Sequence, residues 1–343
     1  MRFLITGGAG FIGVNAAAHY ARQGHGVTVF DNLSRRGTKE NLDWLRREYP
    51  AVRAVTGDIR TGLDALAAEA AQCDVLLHLA AQVAVTTSVA DPRTDFEINA
   101  FGAFNVLEAA RQAARPPIVI FASTNKVYGG MEDVAVVEDG NRYRYGALPH
   151  GASEERVLDF HSPYGCSKGA ADQYVRDYAR IYGMRTVVLR QSCIYGPHQF
   201  GIEDQGWIAW FAMRALLGQP VTVFGDGRQV RDVLHVDDLL AAFDAAIERI
   251  DRSSGRVYNI GGGPAFTLSL LELIALIEKM SGEKLKHSFG DWRPGDQRVY
   301  ISDIRRARAE LGWEPRTTPE PGIALMRDWM AANRETILRV YAA

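Results

Sequence analysis

Cysteine is scarce in this sequence. The 343-residue chain holds three, Cys73, Cys166 and Cys193. An odd, sparse set fits a reducing compartment better than a disulfide framework. No pair has the spacing of a zinc site, so no metal is expected. Long apolar runs are missing too, and none approaches the ~20 residues that a membrane span needs. Nor is there an excess of basic charge. Lys and Arg number 39 against 41 Asp and Glu, a formal net charge of -2. That balance gives no support to a nucleic-acid or membrane partner. The first apolar run begins at Arg2, which leaves no room for a signal peptide. No internal repeat and no low-complexity tract is visible. The expectation is a soluble cytoplasmic protein. Hydrophobic content of 47% and charged content of 23% are ordinary for a globular chain. This length builds either one extended domain or a domain plus a lobe.

What is present is an alternation. Arg2-Phe3-Leu4-Ile5-Thr6 has the composition of a buried parallel strand. A glycine turn follows, then a helical stretch from about Phe11 to Gln23, closed by Gly24-His25-Gly26. Val27–Phe30 is a second strand with Asp31 at its end. Further strands are predicted at 52–55, 75–78, 118–121 and 186–190. Helices are predicted at about 62–71, 95–114 and 163–182. Such alternation implies a parallel sheet covered on both faces, an α/β doubly wound fold. Residues 130–160 break the rhythm and read as an irregular insertion near the substrate side. Beyond 190 the pattern loosens. Helices near 206–217, 237–249 and 267–280 and a strand at 221–224 suggest a smaller lobe over the edge of the sheet. The expected division is a nucleotide-binding domain over 1–190 and a substrate lobe over 191–343, with some elements returning to the first.

The glycines of the first turn are spaced Gly7-x-x-Gly10-x-x-Gly13, between a strand and a helix. One permits a tight turn, one lets backbone amides approach a pyrophosphate, and one lets the helix pack on the sheet. Phe11 and Ile12 open the helix, whose N-terminus offers unpaired N–H groups and a positive dipole end. Asp31 stands 18 residues past Gly13. Its carboxylate can accept both adenosine ribose hydroxyls and would repel a 2′-phosphate, which favours NAD over NADP. Arg35 and Arg36 keep NADP open. Asn32 and Ser34, beside Asp31, join the cofactor candidates. Asp58 and Ile59 follow the third strand and are placed either around the adenine or in an ordinary turn.

Tyr164 and Lys168 are four apart on a predicted helix and share a face. A tyrosine is a poor base at neutral pH, with a free pKa of about 10. A neighbouring ammonium and a positive nicotinamide ring both favour the phenolate. The pair can then take a proton from a sugar hydroxyl while its carbon gives up hydride. Thr124 ends a strand at the edge where open α/β sheets bind ligands. Its hydroxyl can bridge the substrate oxygen and the phenolate.

Taken with Asp58-Ile59, His78-Leu79-Ala80-Ala81, Asn99, Ser123-Thr124 and Arg231-Asp232-Val233-Leu234-His235, these motifs carry a resemblance. Over nearly its whole length the chain resembles the extended short-chain dehydrogenase/reductase family, specifically its nucleotide-sugar epimerases and dehydratases. The resemblance implies a Rossmann-type fold, tightly held NAD and the triad Thr124, Tyr164 and Lys168. It also implies that Leu79, Ala80, Ala81, Gln82 and Asn99 lie beside the cofactor. A homodimer or homotetramer built on the helices near 95–114 and 163–182 is implied in the same way. Two longer runs, Ser123–Gly129 and Leu158–Tyr174, resemble the CDP-hexose 2-epimerases within that family.

Dehydratases of this family carry an Asp-Glu pair right after the triad threonine. Here those positions are Asn125 and Lys126, so that acid/base role is unfilled and an epimerase is expected instead. An epimerase on UDP-sugars at C4 and a non-catalytic NAD-binding protein are the alternatives. Gln82, Thr124, Asn125, Arg231 and Arg293 are the substrate-binding candidates. The arginines are placed on a diphosphate because guanidinium contacts phosphate in bidentate fashion. Arg293 lies in Trp292-Arg293-Pro294-Gly295-Asp296, which resembles the family's diphosphate segment. Arg298 is a second choice. The aromatic stripe at 205–211 is expected to be mainly core. His161 and His235 read as structural, and Asp237 and Asp238 as favouring a helix N-terminus.

Overall fold

Strand and helix alternate from the first residues because the apolar runs are too short for helices and are punctuated by glycine. The computed structural model describes residues 1–293 and 295–342. The chain opens with β1 (Arg2–Thr6), α1 (Phe11–Arg22), β2 (Gly26–Asp31), α2 (Thr38–Glu48), β3 (Arg53–Thr56), α3 (Leu63–Ala70) and β4 (Val75–His78). Next come α4 (Val85–Ala90), α5 (Pro92–Phe96), a π-helical turn at Glu97–Phe101, α6 (Gly102–Arg111) and β5 (Ile118–Thr124). A 3-10 turn at Asn125–Tyr128 leads to the hairpin of β6 (Val136–Asp139) and β7 (Arg142–Tyr145), then to α7 (Ser162–Tyr182) and β8 (Thr186–Gln191). There follow β9 (Cys193–Tyr195), α8 (Trp207–Leu216), β10 (Val221–Phe224), β11 (Val230–His235), α9 (Val236–Glu248), α10 (Ile250–Ser253) and β12 (Arg256–Ile260). The chain ends in β13 (Thr267–Ser269), α11 (Leu270–Ser281), β14 (His287–Gly290), β15 (Val299–Tyr300), α12 (Arg305–Leu311), α13 (Pro319–Ala332) and α14 (Arg334–Ala342).

Seven strands form one parallel sheet in the order β12-β8-β5-β4-β1-β2-β3. Its central strands are buried on both faces, so they read as unbroken apolar runs. One face packs Val14, Ala17, Leu45 and, from α9, Leu239 and Phe243. The other packs Leu66, Val106, Leu107, Ala171 and Val175. This is the doubly wound, Rossmann-like architecture that the alternation predicts. The strand order reverses direction at β1, with β2 on one side and β4 on the other. That reversal opens a crevice at the carboxyl ends of the strands. The later part of the chain adds β11 flanked by β13, β15 and β9, and a parallel pair of β10 with β14. These strands, with α8, α11 and α13, enclose a separate core around Phe211, Leu273 and Met326.

Several elements differ from the sequence prediction. The single helix expected over 95–114 is three pieces, α5, the π turn and α6, and it ends at Arg111. Residues 130–160 are not wholly irregular, since β6 and β7 pair there. The helix α2 and the outer strand β12 have no counterpart in the prediction. Among the described residues no helix is long and apolar enough to cross a membrane. The three cysteines are all free. Phe96, Phe101, Phe104 and Tyr174 stand exposed on α5 to α7, and the Phe104 ring lies edge-on to Tyr174.

Candidate active site

The turn after β1 is shaped by what its glycines leave out. Gly7 has a φ of 70°, and a Cβ there would lie 2.6 Å from Ala80 N. A Cβ on Gly13 would lie 2.2 Å from Gly7 O, so α1 packs directly on the turn. A Cβ on Gly10 would meet only Gly7 O, at 3.2 Å, and otherwise reach into open space. No side chain caps α1 at Gly10, which leaves the first N–H groups of the helix to the cavity. At the end of β2, Asp31 Oδ2 accepts Ala9 N–H at 3.0 Å and Oδ1 accepts Leu33 N–H at 2.8 Å. Burial pushes this carboxyl above its ordinary range, against those bonds and the Arg35 charge.

These residues line one cavity. Gly7, Gly10, Phe11, Ile12, Gly13, Asp31, Asn32, Ser34 and Arg35 form one end, with Asp58 and Ile59. Leu79, Ala80, Ala81, Tyr164 and Lys168 form the other. The donor set suits a dinucleotide: helix-end amides for phosphates and a carboxylate for ribose. Asp58 lines the wall, but its carboxylate already accepts both Arg60 Nε and Nη2 and, at 2.9 Å, Asn32 Nδ2. Arg60 and its hydrogen bonds hold that carboxyl well below the usual range. Arg36 lines the cavity too, with its guanidinium over the Tyr341 ring at 5.3 Å. Gln82 and Asn99 are not on this wall. Gln82 N–H donates to Asn99 Oδ1 at 2.9 Å, and both side chains donate to the buried Asp95. Asp95 also accepts Ser167 Oγ at 2.5 Å. The π turn sets Asn99 into this network, behind the helix that carries Tyr164. The wall also takes Gln199, Phe200 and Gln205 from the later part of the chain. No motif marks Gln199 or Phe200 in the sequence, while Gln205 opens the aromatic stripe.

The helix α7 starts at Ser162 with Pro163 in its first turn, where a missing N–H costs nothing. Ser162 itself has a φ of 66°, an unusual backbone for a serine and one that often marks functional sites. Tyr164 N–H donates to Ser88 Oγ at 3.1 Å. One turn on, Lys168 Nζ donates to Ala122 O at 2.6 Å and lies 4.2 Å from the Phe121 ring centroid. Burial lowers the Lys168 ammonium to about 7, while Asp172 and Asp95 pull it upward. Burial raises the Tyr164 phenol, and Thr124 opposes that rise. In the protein alone the phenol is therefore held protonated, and a positive ring beside it is what would release the proton.

Behind α7 lies a closed polar network. Asp172 is fully buried and pairs with the buried Arg190, Nε to Oδ2 at 2.9 Å and Nη2 to Oδ1 at 3.0 Å. Ser123 Oγ adds a third bond at 2.8 Å. Arg190 Nη1 reaches Tyr128 Oη at 3.1 Å, and Tyr128 donates to Asn259 Oδ1 at 2.7 Å. Strands β5, β8 and β12 are thereby tied to the helix that carries the Tyr-Lys pair.

A second cavity adjoins the first. Thr124, Asn125, Lys126, Arg231 and Arg293 line it, with Trp207 and Phe211 from the aromatic stripe. Tyr164, Val83 and Gln205 line both cavities. Arg231 Nη2 pairs with Asp296 Oδ1 at 2.6 Å, and Arg293 Nη2 with Asp204 Oδ1 at 3.0 Å. Arg298 stands over the Tyr143 ring instead. Pro294, within the segment singled out for the diphosphate, lies outside the described residues. His161 precedes α7 as its N-cap and His235 precedes α9, where it accepts Asp237 N–H. Asp238 accepts Arg316 and Thr317 N–H. No group of acidic, His and Cys side chains suited to a metal ion occurs among the described residues.

A glycine-turn dinucleotide cleft that shares its tyrosine with a sugar-sized cavity defines a class, and the sequence falls within it. The chain belongs to the NAD dependent epimerase/dehydratase family, whose profile matches residues 3–261, and NAD is its cofactor. It is 44% identical over 338 residues to a CDP-paratose 2-epimerase of Salmonella typhi, spanning 97% of this chain and 100% of that one. A UDP-glucose 4-epimerase of Thermotoga maritima, solved with UDP-glucose, superposes with a TM-score of 0.84 at 31% identity, over 97% of this chain and 100% of that one. A dTDP-glucose 4,6-dehydratase of Streptomyces venezuelae, solved with NAD, gives a TM-score of 0.84 at 28% identity, over 99% and 100% of the two chains.

Proposed function

We propose that this chain is an NAD-dependent epimerase that inverts C2 of a CDP-hexose, of the CDP-paratose/CDP-tyvelose type. The observation that carries this is the place of Tyr164, on the wall common to the two cavities. Residues 1–190 are mainly the NAD-binding domain and 191–343 mainly the substrate lobe, with β12 and α9 returning to the first. In the first cavity Gly10, Phe11, Ile12 and Gly13 hold the pyrophosphate, Asp31 the adenosine ribose, and Leu79, Ala80 and Ala81 flank the nicotinamide half. Gln82 and Asn99 act from behind that wall, as part of its support.

Bound NAD supplies a hydride acceptor and a positive ring beside the phenol. Tyr164 takes the proton of the C2 hydroxyl and later returns it to the opposite configuration. Thr124 holds the substrate oxygen against the phenol. Lys168 favours the phenolate while it is protonated. The sugar passes through a 2-ketone that turns over in the cavity, so no net oxidation occurs. Asn125 and Lys126 after Thr124 provide no acid/base pair for loss of water, which favours epimerisation over 4,6-dehydration. The 44% identity to a CDP-paratose 2-epimerase supports the cytidine nucleotide and the C2 position. Arg231 and Arg293 accompany the diphosphate. The exposed aromatics of α5 to α7 support assembly as a homodimer or homotetramer, and the free cysteines a cytoplasmic setting.

The test is a panel of nucleotide sugars with product stereochemistry resolved by proton NMR. CDP-paratose or CDP-glucose should return product inverted at C2. Turnover of UDP-glucose at C4, with CDP-sugars untouched, would replace the proposal by a UDP-sugar 4-epimerase, the activity of the Thermotoga maritima protein.

A further inference from the structure

The second cavity holds three basic side chains, and they are not equivalent. Arg231 and Arg293 already have carboxylate partners, Asp296 and Asp204. The Arg293 guanidinium also covers the Phe224 ring at 3.9 Å. Lys126 has neither. Its Nζ meets two neutral oxygens at long range, Gly295 O at 3.5 Å and Gln297 Oε1 at 3.4 Å. Among the described residues no carboxylate lies within 4.0 Å of it. A cation half-withdrawn from water without a paired carboxylate is a costly arrangement unless an anion arrives.

We propose that Lys126 holds a phosphoryl oxygen of the bound nucleotide sugar. This rests on the nucleotide-sugar epimerase function proposed above. Lys126 enters the cavity from the 3-10 turn that carries the triad threonine onward, and its N–H donates to Thr124 Oγ1 at 3.2 Å. Its ammonium reaches the segment around Asp296, which Arg231 also meets, so lysine and arginine converge on one stretch of chain where a single diphosphate can meet both.

The titratable groups that face Lys126 are Arg231 on β11, Asp296 before β15 and Cys193 on β9, whose thiol burial keeps neutral. Burial lowers the ammonium to about 8, Arg231 pushes in the same sense, and Asp296 opposes it. The side chain is thus mainly charged at pH 7, and an arriving phosphate raises its proton affinity. By linkage, phosphate binding then weakens as pH rises past about 8.

The experiment is calorimetric titration of NAD-loaded protein with CDP and, separately, with cytidine. Lys126→Met should weaken CDP by about tenfold or more, the scale of one charge-assisted hydrogen bond, and leave cytidine unchanged. Lys126→Arg should keep most of the CDP affinity. CDP affinity of the unaltered protein should fall from pH 7 to 9, and that slope should vanish in Lys126→Met. Equal CDP affinity in the unaltered protein and Lys126→Met overturns the proposal. Should Lys126→Met fail to retain NAD, the Lys126→Arg titration and the pH series decide, and a flat series overturns the proposal. Absence of any turnover by the unaltered protein would sink the epimerase function instead and leave the CDP-against-cytidine comparison standing.

Discussion

Replacing Asp172 by Asn should weaken the fold and move the alkaline side of the activity profile to lower pH. The carboxylate is fully buried and accepts two bonds from Arg190, one from Ser123 and one from Gln173. Neutralising it strands the Arg190 guanidinium, itself 1% exposed. Breaking a buried pair from one side costs about 3–5 kcal/mol, and Asn keeps the shape and one acceptor, so the lower end is expected. That is a large share of the roughly 5–15 kcal/mol that holds a typical domain together. Urea unfolding followed by circular dichroism measures it. The effect on activity has a different origin. Burial already lowers Lys168 to about 7, and Asp172 is the foremost charge pulling it back up. Without Asp172 the Lys168 proton is lost at still lower pH. The phenolate of Tyr164 then loses its ammonium neighbour earlier as pH rises, and kcat falls earlier. A double variant, Asp172→Leu with Arg190→Met, separates the two effects. It removes the pair whole, so stability should return towards that of the unaltered protein, while the alkaline limb stays shifted. A stability loss under about 1 kcal/mol in Asp172→Asn would refute the burial argument, and an unmoved alkaline limb would refute the electrostatic one.

Three more outcomes follow from the geometry. Tyr164→Phe should retain NAD and lose turnover by at least about 10²-fold, the usual worth of a positioned acid/base group; near-normal kcat would remove the phenol from the mechanism. Gly13→Ala places a Cβ 2.2 Å from Gly7 O and should lower NAD content and cost about 1–3 kcal/mol through overpacking, measured by absorbance of released cofactor and by thermal unfolding. Phe104→Glu, on the exposed aromatic patch of α6 and α7, should give monomers by light scattering where the unaltered protein gives dimers or tetramers; an unchanged mass would move the interface elsewhere.

The sheet was legible because strands buried on both faces must be apolar throughout, as Phe3-Leu4-Ile5 and Ile118–Phe121 are. The glycine turn was legible because close backbone approach at Gly7 and Gly13 admits no other residue. What escaped the sequence did so for physical reasons. The helix α2 is polar on most of its surface and buries little beyond Asn41, Leu42 and Leu45, so its apolar stripe is thin. In β12, the polar Asn259 interrupts the run, yet it is buried because Tyr128, Ala152 and Glu154 satisfy it. The π turn at 97–101 shifts the helical phase by one residue, which a 3.6-residue period cannot reveal. Lys126 was visible only as a residue that is not an acid. Its want of a carboxylate partner emerges only once the loop around Asp296 is folded against it.

The cofactor cleft is walled partly by the segment from His198 to Gln205, which belongs to the later half of the chain. That segment is pinned to the nucleotide side by Asn41 Nδ2 donating to His198 O at 3.2 Å and by Asn15 Nδ2 donating to Pro197 O at 2.9 Å. A dinucleotide in this cleft would touch both halves of the chain and so help to hold the later segment down. Departure of the redox partner should then be slower than exchange of the sugar. A catalyst that hands back every electron pair it borrows needs no faster door.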